Sequence, residues 1–406
     1  MLKNNSFTTT KKYWKMKKIK NVTLLFIGLL FIGSSCSNDD NTIQPTTTGT
    51  ETTEQQKVFK EFWDIYDKHY PLMHRKNVDW QTVYDTYYPQ ITASTTNNQL
   101  FGIFQTIMGT IIKDGHSSLT FNNTQEAGFE PEFNENIENM IQNNIASKVN
   151  IVASSVNNPY ISYGTLVSNS NIGYINSKNF EPVNESESEF NNFKAIVDEA
   201  LTALQSKTGI IIDVRTNGGG QGPFAYYLAG RFFANTTPIE LIRQRIKTTT
   251  GSTTASLGNW ATTEFEGYAD ARVEGGYVAG VFPEDNTITA SGTFQYTNKV
   301  AVLTARGTAS AAEYFTGAMK TQNHVKTIGD TTFGIFAGSD IFTLTNGSGK
   351  WRTRVSTHDV EIMYNNTFQS FEGIGITPDE PIIPTATQVN AGNDVHIEAA
   401  VNYIIN

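Results

Sequence analysis

Hydrophobic positions recur with a helical period in two stretches near the N-terminus. From 58 to 66, and again from about 98 to 113, apolar side chains are spaced three and four residues apart. This spacing places them along one face of a helix, where aromatic side chains are expected to pack into a core. The pattern predicts a small N-terminal helical domain at 57–120.

The pattern changes after residue 171, where short apolar runs alternate with longer helical periods. Runs typical of buried strands occur at 172–175, 209–215, 299–304 and 325–328, and runs with helical spacing occur at 190–204, 223–233 and 311–320. A hairpin is predicted at 342–355, with Asn346 and Gly347 in its turn. Strands that alternate with helices indicate an α/β core. We assign this core to 166–386 and a C-terminal helix to 387–406.

Two stretches lack a clear period. Residues 121–165 are polar and rich in asparagine, and residues 240–295 are rich in threonine and glycine. We interpret 121–165 as a connecting or lid segment. Both stretches are expected to line the substrate pocket.

The first 35 residues have the composition of a leader. Seven lysines and no acidic residue surround or precede an apolar run of 11 residues at 22–32, and small residues follow up to Cys36. A helix needs roughly 20 apolar residues to span a bilayer, so the run predicts a signal peptide at 1–35. Cys36 is the only cysteine of the sequence, which excludes a disulfide framework and a cysteine metal cluster.

The sequence Gly33-Ser34-Ser35-Cys36 resembles a bacterial lipoprotein processing box. The resemblance implies that Cys36 is lipidated and anchors the protein in the cell envelope, at the outer membrane, on its periplasmic face or at the cell surface. Ordinary secretion with an unmodified cysteine is the alternative. Residues 36–56 are rich in small polar side chains and predict a flexible tether.

The net charge narrows the range of partners. The net charge of the whole sequence is −9. The leader is basic, so the chain that remains after its removal carries a more negative net charge. An acidic surface repels nucleic acid and anionic lipid, so we predict no nucleic-acid partner. Membrane attachment would come from the acyl chains on Cys36.

Residues 308–313 hold the most informative serine. Ser310 follows a predicted buried strand and precedes the helical run 311–320. The first turn of a helix offers unpaired N–H groups and the positive end of the helix dipole, a suitable place for a nucleophile and an oxyanion. An N-cap serine is the alternative.

Other residues could contribute to the same chemistry. Three glycines follow Asn217 after a buried strand, so that N–H groups can converge on one point, although a structural turn is the alternative. His116 follows a predicted helix, and Glu372 lies in a turn rich in glycine. None of the six histidines has the spacing of a metal site, so no metal and no cofactor is expected.

Four blocks of the sequence resemble the S41 serine peptidases, a family that includes the C-terminal processing and tricorn-type proteases. In chain order the blocks are Asp114-Gly115-His116, 212–220, 308–313 and 372–379. The resemblance covers about 57–386 and is most specific in the two middle blocks. It implies a crotonase-like core of stacked ββα units within the α/β fold. The connection between His116 and the first core strand is short, so no full PDZ domain is expected.

The resemblance also implies roles for individual residues. Processing proteases of the family pair the serine with a lysine, but Ile335 takes the position of that lysine here, and Lys320 and Lys326 are out of register. Tricorn-type members instead use a histidine and a glutamate, and His116 and Glu372 match these.

The implied set is therefore Ser310 as nucleophile, His116 as general base and Glu372 as an orienting group, with the N–H groups of Gly218 or Gly219 and of Ala311 around the oxyanion. Gly115 stands where tricorn-type members have a serine, which leaves Ser117 or a water to connect Glu372 to His116. The expected function is hydrolysis of peptide bonds in peptides or proteins by a Ser/His endopeptidase. A non-catalytic ligand-binding or glycan-binding lipoprotein on the same scaffold is the alternative.

Overall fold

In a computed structural model of the chain, the structure describes residues 52–184, 186–262, 270–274 and 286–406. The predicted signal peptide, Cys36 and most of the tether lie outside the described residues. Among the residues that are described, no helix combines the length and the apolar character needed to cross a membrane.

The helices of the described residues begin and end as follows. They are α1 (Glu54–His69), α2 (Trp80–Tyr87), α3 (Asn97–Thr106), α4 (Glu135–Lys148), α5 (Glu187–Leu204), α6 (Gly222–Gly230), α7 (Ala311–Lys320), α8 (Ala386–Asn390) and α9 (Val395–Ile405). A π-helical turn, Ile107–Ile112, continues α3.

The strands of the described residues are mostly short. They are β1 (Ser118–Phe121), β2 (Gln125–Gly128), β3 (Val149–Ile151), β4 (Ile161–Leu166), β5 (Ile172–Ser177), β6 (Gly209–Asp213), β7 (Ile239–Glu240), β8 (Ile242–Arg245), β9 (Thr287–Ile288), β10 (Lys299–Thr304), β11 (Val325–Gly329), β12 (Ser339–Thr343), β13 (Trp351–Ser356), β14 (Asp359–Tyr364), β15 (Thr367–Gln369) and β16 (Glu380–Pro381).

A seven-stranded sheet forms the centre of the molecule, in the order β16-β11-β10-β6-β5-β4-β3. Strands β5, β6, β10, β11 and β16 pair in parallel, whereas β3, β4 and β5 pair antiparallel. Val302 of β10 lies opposite Ile212 of β6. Every residue of β6 is buried, as expected for a parallel strand that is covered on both faces.

Helices cover both faces of this sheet because the side chains of a strand alternate between its faces. Ile210 and Ile212 pack in one core cluster with side chains of α5, α6 and α7. Ile211 packs in a separate cluster with Ile397 and Ile404 of α9. The predicted α/β class is therefore confirmed.

The N-terminal helices pack against a second sheet, of order β12-β13-β1-β2. Phe59 and Phe62 of α1 share a core cluster with Phe104 of α3 and Trp351 of β13. The rings of Phe104 and Trp351 meet edge to face at 5.4 Å. The helical N-terminal region is thus confirmed, and its aromatic side chains form a core, as predicted.

One local prediction is confirmed, and one stretch contains a helix that the sequence pattern did not predict. The predicted hairpin is confirmed, since β12 pairs antiparallel with β13. The stretch 121–165, interpreted as a connection, contains helix α4 with Asn134 as its N-cap. Among the described side chains of α4, only three apolar ones are buried, Ile137, Met140 and Ile141. So sparse an apolar face gives little periodic signal.

Candidate active site

Ser310 is the N-cap residue of α7, in the turn after β10, but its backbone does not have the extended conformation of an ordinary cap. Its φ is 54° and its ψ is −124°. The N-cap residues Thr96 and Ser186 have extended backbones, with φ of −82° and −143°, as ordinary caps do. A positive φ at a serine costs on the order of 1–3 kcal/mol and persists only where surrounding contacts impose it. Such strained turns expose a nucleophile at the start of a helix.

Gly219 packs directly against this serine. A Cβ added at Gly219 would lie 2.7 Å from Ser310 Cβ and 2.6 Å from the Ala309 carbonyl oxygen. Its φ is 99°, a conformation that favours glycine. The glycine turn after β6 and the serine turn after β10 therefore meet at the carboxyl ends of two adjacent parallel strands.

Asn217 holds the glycine turn in place. Its Nδ2 donates to the carbonyl and hydroxyl oxygens of Ser177, at 3.1 Å each, and its backbone carbonyl accepts from Ala309 N–H at 3.0 Å. Its Oδ1 accepts from Gly219 N–H at 2.9 Å. Gly218 or Gly219 was predicted to donate to an oxyanion, and because the Gly219 N–H is already engaged by Asn217, Gly218 is the better candidate of the two.

Two other predicted donors, Gly218 and Ala311, remain in the two turns that meet here. The Gly218 residue is exposed, and a Cβ there would meet no atom within 4 Å. Ala311 is the first residue of α7, a position without an acceptor inside its own helix. Within the described residues, neither N–H has a hydrogen-bond acceptor. Both are therefore available to an oxyanion.

A buried ion network fixes the strand end from which this turn begins. Arg215 donates from Nε and Nη2 to the carboxylate of Asp213, at 2.9 and 2.7 Å, and from Nη1 to Asp394 at 3.0 Å. Tyr174 also donates to Asp213, at 2.7 Å. Asp394 is the N-cap of α9, so the C-terminal helix is tied to the base of the glycine turn. Arg215 is completely buried, which by itself would lower its pKa, but the charges of Asp213 and Asp394 raise the pKa above its usual value.

His116 lies in the loop before β1, with its ring held by a backbone carbonyl. Nδ1 is 2.6 Å from the carbonyl oxygen of Ala337. A carbonyl can only accept, so Nδ1 carries the proton and Nε2 keeps its lone pair. Burial, together with the positive charge of Arg354, lowers the pKa of His116 to about 4. The ring is therefore neutral near pH 7, in the tautomer that a general base requires.

Asp114 and Ser117 support the His116 loop without reaching Glu372. The Asp114 carboxylate accepts from His116 N–H at 2.9 Å and from the Ser117 hydroxyl at 3.0 Å. Ser117 Oγ accepts in turn from Ser356 N–H at 3.1 Å. The hydroxyl of Ser117 therefore fixes the loop to β13, and it does not form the bridge that was considered for it.

Glu372 reaches the same backbone segment as His116. Its Oε2 accepts from the N–H groups of Phe336 and Ala337, at 2.8 and 3.3 Å. Ala337 thus donates to Glu372 with its N–H and accepts from His116 with its carbonyl. Burial and the charge of Asp114 raise the pKa of Glu372 to about 8, opposed by Lys76, whose Nζ lies 4.0 Å from Oε1.

The lysines considered as partners of the serine are engaged elsewhere. Lys320 forms a short ion pair with Asp379 and donates to Thr327 at 3.1 Å. Lys326 pairs with Glu380 at 2.6 Å. Ile335 is buried, and its Cγ2 lies 3.0 Å from the position of a Cβ built on Gly115. An apolar side chain therefore occupies the place of the family's lysine beside the His116 loop.

Glu313 is a site residue that sequence reasoning missed. It is fully buried and accepts four hydrogen bonds, one of which comes from the Ser310 N–H at 3.1 Å. The other three come from Thr332, Gly334 and Ile335. A serine followed three residues later by a glutamate is the signature of a capping box, and this signal was present in the sequence.

Comparison with known proteins identifies the family of the chain. Residues 171–382 match the model of peptidase family S41, and residues 51–109 match that of the tricorn protease C1 domain. A crystal structure of a candidate peptidase from Parabacteroides merdae has a TM-score of 0.66 and 23% identity, over 87% of this chain and 98% of that one. Mature CPAF has a TM-score of 0.54 and 12% identity, over 87% of this chain and 96% of that one. At these identities the likeness concerns the fold. A search of curated proteins finds no significant match.

Proposed function

The chain belongs to peptidase family S41, and on this premise we propose that it is a serine endopeptidase with Ser310 as nucleophile and His116 as general base. The substrate would be a peptide or protein. The proposal requires no metal and no cofactor.

The backbone of Ser310 is the observation that carries this proposal. An N-cap serine needs an extended backbone, whereas Ser310 has a φ of 54° and lies against Gly219. Capping alone does not require this conformation, which carries an energetic cost. Exposure of a nucleophilic hydroxyl at the start of a helix, next to the N–H of Ala311, would account for the strain.

The reaction would proceed by acyl transfer. Ser310 Oγ attacks the carbonyl carbon of the scissile bond while His116 Nε2 takes the hydroxyl proton. The N–H groups of Gly218 and Ala311 stabilise the oxyanion. His116 then donates the proton to the leaving amine, whose C–N bond breaks, and an acyl-enzyme remains on Ser310. Water, deprotonated by His116, hydrolyses this ester and restores the serine.

A Ser/His pair is favoured over a Ser/Lys pair by the positions of the candidate partners. Ile335 cannot accept a proton. Lys320, at the C-terminal end of α7, is bound to Asp379, and Lys326 of β11 is bound to Glu380 of the edge strand β16. His116, in contrast, is neutral near pH 7 and has Nε2 available, since its Nδ1 proton is committed to Ala337.

Glu372 would orient His116 through the peptide of Ala337. The carboxylate fixes the Ala337 N–H, and the carbonyl of the same residue fixes the Nδ1 proton of the ring. This route replaces the hydroxyl that tricorn-type members place beside the histidine. It orients the base without a direct contact between the two side chains.

Labelling with a fluorophosphonate tests the nucleophile. We expect wild-type protein to be labelled and Ser310→Ala and His116→Ala to lose the label. Ser186→Ala is the matched control, because Ser186 is an ordinary N-cap with an extended backbone and a bond to Glu189 N–H of 3.2 Å. Its removal should cost about 1 kcal/mol of stability and leave labelling intact. A label that persists in Ser310→Ala would reject the assignment and favour a non-catalytic binding protein.

Lipid attachment through Cys36 is proposed from the processing box and the polar tether. Attachment would hold the peptidase at the cell envelope. Cells that express the wild type should incorporate labelled palmitate into the protein, and Cys36→Ser should not. Equal incorporation in both proteins would contradict the proposal.

A further inference from the structure

Four successive backbone N–H groups point at two buried carboxylates. Gly334 and Ile335 donate to Glu313, at 2.8 Å each. Phe336 and Ala337 donate to Glu372, at 2.8 and 3.3 Å. This stretch, 334–337, is called the clamped segment below. The segment carries the Ala337 carbonyl that holds His116, so its position sets the position of the base.

Glu313 connects the clamped segment to the nucleophile. Its Oε2 accepts from both Ile335 N–H, at 2.8 Å, and Ser310 N–H, at 3.1 Å. Its Oε1 accepts from Gly334 N–H and from the hydroxyl of Thr332, the latter at 2.5 Å. One carboxylate therefore joins the strained serine to the segment that orients the histidine.

These contacts exceed what a helix cap requires. A capping box uses the glutamate only for the N–H of the N-cap residue, whereas three of the four donors to Glu313 belong to residues 332–335 and not to the cap. The side chain is fully buried, and among the described residues no lysine, arginine or histidine forms a salt bridge with it. Its charge is compensated by the four donors alone, all of which need an acceptor.

We propose that Glu313 is a positioning residue of the peptidase, which holds Ser310 in its strained conformation and sets it in register with His116 through the clamped segment. The inference rests on the proposed function, because it concerns the geometry of the same reaction. Glu313 touches no substrate atom in this account. It acts on the nucleophile through backbone and on the base through Ala337.

Protonation of Glu313 would weaken this connection. Burial raises the pKa of Glu313 to about 7, against the hydrogen bonds from Thr332 and the backbone. A protonated carboxyl has one acceptor oxygen fewer for the four donors that surround it. The rate of acylation should therefore fall as the pH decreases through about 7, in addition to any effect of His116.

The chain offers a matched control in Glu61. This buried glutamate of α1 also accepts four hydrogen bonds, from the backbone and side chains of Thr345 and Asn346, at 2.8 to 2.9 Å. Its partners lie in the turn between β12 and β13, apart from the Ser310 turn and the clamped segment. Glu61→Gln should therefore lower stability in a similar way to Glu313→Gln without changing the geometry of catalysis.

The test compares fluorophosphonate labelling rates of the two variants across pH, together with kcat and KM on a peptide substrate. For Glu313→Gln we expect a rate roughly 100-fold lower, with the loss in kcat rather than in KM, because a small displacement of reacting groups has effects of that size. The ionisation near pH 7 should disappear in Glu313→Gln and persist in Glu61→Gln. Labelling of Glu313→Gln at the wild-type rate, with an unchanged pH profile, would overturn the proposal.

Two further variants keep the outcomes distinct. If Glu313→Gln does not fold, Glu313→Asp carries the test, since it keeps the charge but is too short to reach both Ser310 and Ile335. It should fold and be labelled at least about tenfold more slowly, and wild-type labelling would overturn the proposal. If the proposed function is wrong, labelling will survive in Ser310→Ala. If only the proposal for Glu313 is wrong, Ser310→Ala will remain unlabelled.

Discussion

The ring of Phe333 occupies the space in which a side chain at Gly115 would begin. A Cβ built on Gly115 would lie 2.6 and 2.8 Å from two ring carbons of Phe333. The serine that tricorn-type proteases carry at this position is therefore incompatible with the present packing. The departure from the family pattern is explained by a neighbour in space, and in our proposal the Ala337 peptide takes over the connection that the missing hydroxyl would have made.

The first prediction concerns this pair. Gly115→Ser should destabilise the protein by about 1–3 kcal/mol, as overpacking typically does. Because the obstacle is the outer edge of a half-buried ring, Phe333→Ala should relieve much of this cost. Denaturant unfolding of the wild type, both single variants and the double variant measures the coupling. Additive effects of the two substitutions would contradict the steric explanation.

The second prediction separates positioning by Glu372 from a role for its charge. Glu372→Gln keeps an oxygen that can accept from Phe336 and Ala337 N–H, whereas Glu372→Ala leaves both without an acceptor. We expect kcat/KM to fall roughly 100-fold in the alanine variant and no more than about tenfold in the glutamine variant.

Steady-state kinetics near pH 7 measures this difference. The raised pKa of Glu372, to about 8, means that the carboxyl is mostly protonated there and resembles an amide in charge. Equal losses in the two variants would indicate that the negative charge, and not the hydrogen bonds to the backbone, is required.

The third prediction concerns the acid side of the pH profile. His116 acts as a base only when deprotonated, so its contribution to kcat/KM is lost as the pH falls through its pKa, about 4. The charge of Arg354 contributes to that low value. Arg354→Gln should therefore raise the pKa of His116 and move the lower step of the acid limb, which lies below the step near pH 7 proposed for Glu313, to higher pH.

Arg352→Gln serves as the control for this shift. Arg352 lies on the same strand, but it is paired with Glu274 and does not contribute to the pKa of His116. The profiles of kcat/KM for wild type and both variants are to be compared, with the ring titrated directly by NMR. An acid limb that is unchanged in Arg354→Gln would refute the electrostatic account.

Much of the core was accessible from the sequence because its signals are local. Strand β6 is a continuous run of isoleucine before a glycine turn, and β10 and α7 meet at Ser310, so the period alone places the serine at the start of a helix. Helix α4 was not predicted from the sequence, because its described apolar face is too small to give a helical hydrophobic period. The four blocks also gave His116, Glu372 and the glycine turn as candidate members of one site.

The contacts that organise the site depend on residues far apart in sequence. Glu313 carried a local signal as a capping-box glutamate, yet its bonds to Gly334 and Ile335 form only when the segment after β11 returns to the start of α7. The choice of Asn217 as partner for Gly219 N–H likewise depends on the exact shape of a turn. Sequence pattern indicates residue types, but it does not indicate which acceptor a given N–H will meet.

The sequence by itself determined the class of fold, the position of Ser310 and the absence of a lysine at 335, since each follows from local composition, period or family blocks. Only the tertiary structure supplied the contacts behind the proposed link between Glu372 and His116, because both side chains bind the backbone of Ala337, which carries no side-chain signature. It also showed the crowding of Gly115 by Phe333 and the bonds of Glu313 on which the positioning proposal rests. In each case the reason is the same: hydrogen bonds and steric contacts between distant segments are set by packing, which a one-dimensional pattern does not record.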